Sequence, residues 1–319
     1  MRLSTAAEQA GIASLPVEEQ AKRLQVRRPV SSLLELLDAF GGIKDALACE
    51  DHITRVAREC VEDAVAENVR VLELRYHPQY VRCEDRGLTF AAVHEAVRRG
   101  VDGAVAAAGG KVAVGLIGIV GRPDGELAAS EAMDFFVSNT ESFCAVDLAN
   151  DESRPFEPYA PLYRKAARHG LGVTIHAGED LAGGGASAVT GVVESLGATR
   201  VGHGVQCVRD DAVVEYVKAK GITLECCPTS NWITNAFPLR DHPLRQLYDR
   251  GVPVTLNSDD PGLFGSAGLS CEYAVAHDVL GFSAEELAAM AERAKAASFI
   301  PKDQVERAWA WQEEAAAPA

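Results

Sequence analysis

The sequence has no Cys-x-x-Cys pair, no Pro/Ser-rich linker, no low-complexity tract, and no apolar run approaching the ~18 residues of a membrane span. Each absence excludes something. Without Cys-x-x-Cys, the eight cysteines (Cys49, Cys60, Cys83, Cys144, Cys207, Cys226, Cys227 and Cys271) fit neither a zinc ribbon nor a redox motif. Several lie in apolar, strand-like runs, so reduced core thiols in a cytoplasmic protein are expected. Without a linker, residues 1–319 are expected to form one domain. Without a membrane-length run or a charged-then-apolar leader, neither an anchor nor secretion is expected. Positive charge is also short. Lys and Arg number 31 against 46 Asp and Glu, a formal net charge of −15. Such a chain repels a phosphate backbone, which argues against nucleic-acid binding.

What the chain does have is rhythm. Thr5-Ala6-Ala7-Glu8 reads as a capping box, a second piece starts near Pro16, and Ser32-Leu33-Leu34-Glu35 opens a helix to about Phe40. Residues 1–48 are thus expected to be N-terminal helices. Ile53, Val56, Ala57, Cys60, Val61 and Ala64 recur at helical spacing and predict a helix over 49–68. Residues 69–281 then hold seven strand–helix units. Their strands are expected over 69–77, 111–120, 144–148, 172–176, 201–205, 222–227 and 252–256. Two helices over 283–315 follow, Ser283 opening the first. Strands buried on both faces and alternating with helices indicate a parallel sheet. A closed (β/α)8 barrel needs eight strands, so the pattern predicts a TIM-like barrel with its first strand missing from this chain. A doubly wound sheet is the alternative, but it should carry a Gly-rich phosphate turn after strand one, and none occurs.

The chemistry gathers at strand ends. Val173-Thr174-Ile175-His176 finishes a buried strand on a histidine, with Glu179 three residues on. Val201-Gly202-His203 ends the same way, and Val254-Thr255-Leu256 leads to Asp259-Asp260. His176 and Asp259 are the best metal-ligand candidates, since imidazole and carboxylate together suit zinc. Glu179 is placed to give or shuttle a proton, and His203 to act as base or electrostatic support beside an activated water. Neighbouring side chains diverge, so one of Asp259 and Asp260 can bind metal while the other faces substrate. A helix-capping turn is the plainer reading of that pair. Asp147 and Asp151 suit supporting or capping roles, and His77 could line the mouth. His52, His94, His169, His242 and His277 fall on helices or helix ends and are expected at the surface. Gly183-Gly184-Gly185 reads as a flexible connection rather than a phosphate cradle.

Taken together, HAGED at 176–180, RVGHG at 200–204, ECCPTSN at 225–231 and LNSDDP at 256–261 resemble the adenosine deaminase family of the amidohydrolase superfamily. ELRYHP at 73–78 and DLANDE at 147–152 add to the match, and Arg28-Pro29-Val30 is similar to that family's substrate lid. The resemblance implies zinc-dependent hydrolysis of the 6-amino group of an adenine-containing nucleoside. It implies His176 and Asp259 as zinc ligands and Glu179 as donor to the purine ring nitrogen beside the reacting carbon. His203 would orient and help deprotonate the water, and Asp260 would bond the purine's imidazole-ring nitrogen. Substrate contacts are expected from Gly178 and Asn150 as well. A cytidine-deaminase type of zinc site is excluded, since His-x-Glu with Pro-Cys-x-x-Cys is lacking.

Two departures stand out. The family's His-x-His pair, two further zinc ligands, occurs nowhere in the chain, nor does the Asp that follows it. A late start or a truncation is the expected cause, because His176, Glu179, His203, Asp259 and Asp260 all remain. The alternative is a non-catalytic relative that has lost zinc and binds a purine or a protein partner. Second, Asn150 stands where nucleoside-deaminating relatives usually have glycine. That leaves adenosine, a modified adenosine such as aminodeoxyfutalosine, or adenine as substrate. Oligomeric state is not legible.

Overall fold

Seven parallel strands form one sheet in chain order, β1 (Val71–Tyr76), β2 (Ala113–Gly121), β3 (Phe143–Ala149), β4 (Gly172–Ala177), β5 (Arg200–His203), β6 (Thr223–Cys226) and β7 (Val254–Leu256). The computed structural model describes residues 25–40, 44, 47–265 and 268–316. The expected helices near Thr5 and Pro16 lie outside them. Strand order never reverses, so the doubly wound alternative falls. Among the described residues β1 and β7 each pair on one side only. No described helix is long and apolar enough to cross a membrane.

Local chemistry sets the helix boundaries. Ser32 accepts the Glu35 N–H and opens Leu33–Ala39. Thr89 accepts the Ala92 N–H ahead of Phe90–Ala107, and Asp210 accepts from Ala212 and Val213 ahead of Asp211–Lys220. Ser283 and Glu286 complete a capping box before Ala284–Ala297. An N-cap of this kind contributes about 1 kcal/mol, enough to fix where each helix starts. Outward strand residues such as Val146, Val173, Val201 and Leu224 pack on the helix layer in the main core. Gly118 shows how closely: a Cβ there would lie 2.5 Å from the Phe136 ring.

The inside of the sheet is charged, and those charges show that it curls. Arg75 on β1 lies 2.7 Å from Asp147 on β3 and also bonds Glu225 on β6. Arg200 on β5 bonds Glu73 on β1 and lies 2.7 Å from Glu225. A flat sheet would hold β1 and β6 five strand spacings of about 4.8 Å apart. Only a sheet rolled toward a barrel lets these side chains meet. Below, Glu73 accepts the Phe299 N–H at 2.6 Å and the Ser298 hydroxyl at 2.9 Å. Above, Asp147 meets His176. The row Glu73–Arg200–Glu225–Arg75–Asp147–His176 runs from the barrel floor to its mouth.

Two surface assignments are corrected. His94 is buried, its Nδ1 2.7 Å from the Tyr76 hydroxyl and its ring stacked 4.8 Å from Phe143. His242 is buried beside Asn231. Both sit on or beside helices, where periodicity alone does not tell an inward face from an outward one.

Candidate active site

The C-terminal ends of β3, β4, β5 and β7 deliver the polar side chains. His176 is the penultimate residue of β4, and its Nδ1 donates to Asp147 of β3, with the two carboxylate oxygens at 2.9 and 3.1 Å. That bond orients the ring and leaves Nε2 as the atom it can offer. Asp147 is fully buried. Burial alone would raise its carboxyl, but His176 and Arg75 outweigh it and hold it below the ordinary range. Burial alone would likewise lower His176; the Asp147 charge wins and pushes it up to about 9.

His203 ends β5 with φ 59°, and Asp259 lies beyond β7 with φ 53°. Both are left-handed, a conformation that costs a residue with a Cβ on the order of 1–2 kcal/mol. The turns aim both side chains at His176. The two rings lie 5.2 Å apart, and the donor atoms of His176, His203 and Asp259 lie within 4.8 Å of one another. Among the described residues no other His/Cys/Asp/Glu trio converges so. An imidazole backed by a carboxylate, facing a second carboxylate, is a donor set that fits a divalent metal.

Glu179 follows the strand after Gly178, whose φ of 69° and whose Val189 neighbour, 2.7 Å from a would-be Cβ, demand glycine. Its carboxyl is buried, 3.4 Å from His203 Nε2. Burial and the charges of Asp259 and Glu152 push it well above the ordinary range, which favours its protonated form. Asp260 follows the same logic, held at about 8 by burial and Asp259. His203 goes the other way: burial pushes it down to about 4 against the pull of Asp259.

Residues that sequence reasoning passed over hold this loop in place. Glu152 accepts the backbone N–H of Glu179 at 3.3 Å and of Asp180 at 3.2 Å. Gln206 donates to the Glu179 carbonyl at 3.1 Å. Buried Arg122 donates to the carbonyls of His176 at 2.6 Å, Arg154 at 2.9 Å and Glu152 at 3.1 Å. A buried guanidinium spent on three carbonyls ties the segment after β2 to the loop after β3 and to the end of β4. The signal was an arginine directly after an apolar strand.

The other expected residues fall into place around this centre. Asn150 has φ 80°, which explains why glycine is usual there and why Asn, tolerant of the left-handed region, can replace it. Its Oδ1 accepts the Asp151 N–H at 2.8 Å, so the side chain folds onto its own loop. Asp151 caps that loop through Ser153 and Arg154. His77 is taken by Asp124 at 2.6 Å. Gly183 backs onto Glu152, 2.5 Å from a would-be Cβ, so the glycine run serves close packing.

The mouth is covered in part by residues 26–40. Val26 and Val30 N–H groups bond the Leu263 and Ile233 carbonyls at 2.8 and 2.9 Å, and Leu36 packs with Ile233, Leu263 and Phe264. The cleft beneath is lined by Ser31, Ser32, Leu33, Glu179, Gln206 and Thr234 among others, with no lysine or arginine among the described residues.

Comparison with known proteins is consistent across sequence and structure. A family profile described as adenosine deaminase matches residues 2–309. A relative from Vibrio parahaemolyticus serotype O3:K6, described as adenosine deaminase, is 36% identical over 273 residues, covering 85% of this chain and 80% of that protein. The crystal structure of an adenine deaminase from Arthrobacter aurescens superposes with TM-score 0.81 at 28% identity, over 97% of this chain and 93% of the other. The apo structure of the N6-methyl-AMP deaminase from Arabidopsis thaliana gives 0.82 at 26% identity, over 100% and 94%.

Proposed function

Because the chain belongs to the adenosine deaminase family, we propose that it hydrolyses the 6-amino group of an adenosine-like nucleoside to the 6-oxo product and ammonia. One observation carries the reading. A metal-competent pair, His176 and Asp259, meets a buried carboxyl, Glu179, at the strand-end mouth of the barrel.

Zinc, when bound there, supplies a Lewis acid that brings the pKa of water from 15.7 toward about 7. His176 and Asp259 would hold it. The His-x-His imidazoles are not among these 319 residues, so this set is a partial one. The protein's own groups do the rest. Glu179 brings a proton to the purine nitrogen beside the reacting carbon, making that carbon electrophilic. His203 holds the attacking oxygen in line. As that oxygen bonds to the carbon, its first proton passes to the carboxylate that Glu179 has become, which hands it to the amino group. Ammonia leaves as the oxygen's second proton returns to Glu179 and the 6-oxo product forms. Asp260 keeps its own proton for a bond to the purine's imidazole-ring nitrogen, an acceptor.

A nucleoside fits better than a nucleotide. The cleft's lining offers a phosphate no lysine or arginine among the described residues, and its Asp180 carboxylate would repel one. Zinc-supplemented protein is expected to convert adenosine to inosine faster than it acts on adenine or N6-methyl-AMP, as read by chromatography of products and ammonia release. Stoichiometric zinc with no turnover of any of the three would favour a non-catalytic binder. Asp260→Ala should raise KM about 5–10-fold with zinc content unchanged, the size of one lost hydrogen bond. Asp260→Asn keeps a donor and should lie closer to the parent; equal KM values for Ala and parent would remove Asp260 from substrate binding.

A further inference from the structure

We propose that His242 and Asn231 form a tautomer relay, through which the Leu244 backbone N–H fixes His203 as a neutral imidazole with its proton on Nε2. The relay makes His203 a hydrogen-bond donor toward the reacting oxygen and makes His242 and Asn231 positioning residues. It rests on the deaminase reading for what His203 faces, and on geometry alone for the proton's place.

The argument runs from a group with no choice. A backbone N–H can only donate. Leu244 N lies 3.2 Å from His242 Nδ1, so Nδ1 is the acceptor, and a neutral His242 carries its proton on Nε2. That Nε2 lies 3.1 Å from Asn231 Oδ1, which accepts it. The amide's other end then faces His203: Asn231 Nδ2 lies 3.1 Å from His203 Nδ1. An amide nitrogen donates, so His203 Nδ1 accepts, and the ring's proton sits on Nε2. Nε2 points into the site, 3.4 Å from Glu179 and 3.8 Å from Asp259.

Reversing the amide breaks the chain. Asn231 Nδ2 would then face the His242 Nε2–H, donor against donor. Moving that proton to Nδ1 only shifts the clash to the Leu244 N–H. His203, Asn231, His242 and Leu244 are all buried, so no solvent relieves a mismatch. Burial and neighbouring His203 hold His242 at about 3, keeping it neutral throughout the usual assay range. The backbone is pinned as well: Asn231 N donates to the Cys227 carbonyl, and its own carbonyl accepts from Ala236, both at 2.9 Å. Short helix Pro228–Ile233 carries Asn231, which is how the ECCPTSN stretch reaches the site.

A donor at Nε2 has two consequences. Its lone pair is absent, so His203 is not a metal ligand although it stands within ligand distance of the pair that is. It also fixes the reacting oxygen through that oxygen's lone pair, leaving the oxygen's own proton to another group.

The test reads the proton directly. Protein labelled with 15N-histidine, its His203 signals assigned by loss in His203→Gln, is expected to show the protonated nitrogen of that ring at Nε2. Asn231→Asp offers a carboxylate that accepts from both sides, so His203 should gain a proton on Nδ1, and kcat should fall about 10²-fold with KM little changed. His242→Gln can accept from Leu244 and donate to Asn231; it should keep the parent's tautomer and most of kcat. His242→Leu should lose both. Thermal unfolding of each variant separates a folding defect from a proton shift. A parent spectrum with the proton on Nδ1, or an unchanged tautomer in Asn231→Asp, overturns the relay. Correct tautomers without adenosine turnover would uphold the relay and sink the deaminase reading instead.

Discussion

Glu179→Gln is expected to lower adenosine turnover by about 10²–10⁴-fold while leaving zinc content at the parent level. The carboxyl is buried and hemmed by acidic groups, which raise its pKa and favour the proton it would give. An amide matches its size and still donates a hydrogen bond, but it cannot release a proton to the purine ring. Geometry survives and proton delivery does not. Because Glu179 is not one of the two residues assigned to metal, zinc measured by atomic absorption should not fall. Inosine formation within tenfold of the parent would exclude Glu179 as the acid, whatever the metal content.

Glu225→Leu is expected to destabilise the fold by about 3–5 kcal/mol, read as a lower urea midpoint at unchanged slope. Glu225 sits between Arg75 and Arg200 and also accepts the Thr174 hydroxyl at 2.9 Å. Removing it leaves the half-buried Arg75 and the buried Arg200 guanidiniums face to face. The pH dependence has a definite sign. Burial alone would raise this carboxyl, but Arg75 and Arg200 lower it from 4.5 to about 2. A depressed folded pKa contributes stability above pH 4.5 and loses it as pH falls toward 2. The parent should therefore weaken across that acid window, and Glu225→Leu should weaken less steeply. Parallel pH–stability curves for the two proteins would show that the ion pairs contribute nothing.

These two residues differ in how visible they were. Glu179 is announced by its neighbours: three positions after a histidine near a strand's end, in a run whose spacing is itself chemical information. Strand and helix positions were legible for the same reason, since alternation, capping residues and apolar period are local. Glu225 and Arg75 were not. A charge inside an apolar strand is a signal, but its partner lies 150 residues away in the chain, and only the curl of the sheet brings them together. Asn231 and His242 escaped on different grounds. One lies on a six-residue helix too short for periodicity to mark, and the other beside a helix, where inward and outward faces look alike.

The left-handed turns at His203 and Asp259 bear on any attempt to make this protein withstand heat. Glycine at either position would relax the backbone by on the order of 1–2 kcal/mol. A selection for thermal tolerance that ignores turnover would therefore favour glycine at two of the residues the chemistry needs. Heat-tolerant variants found that way would be the ones with the emptied mouth, so the two positions must be held fixed before such a library is made.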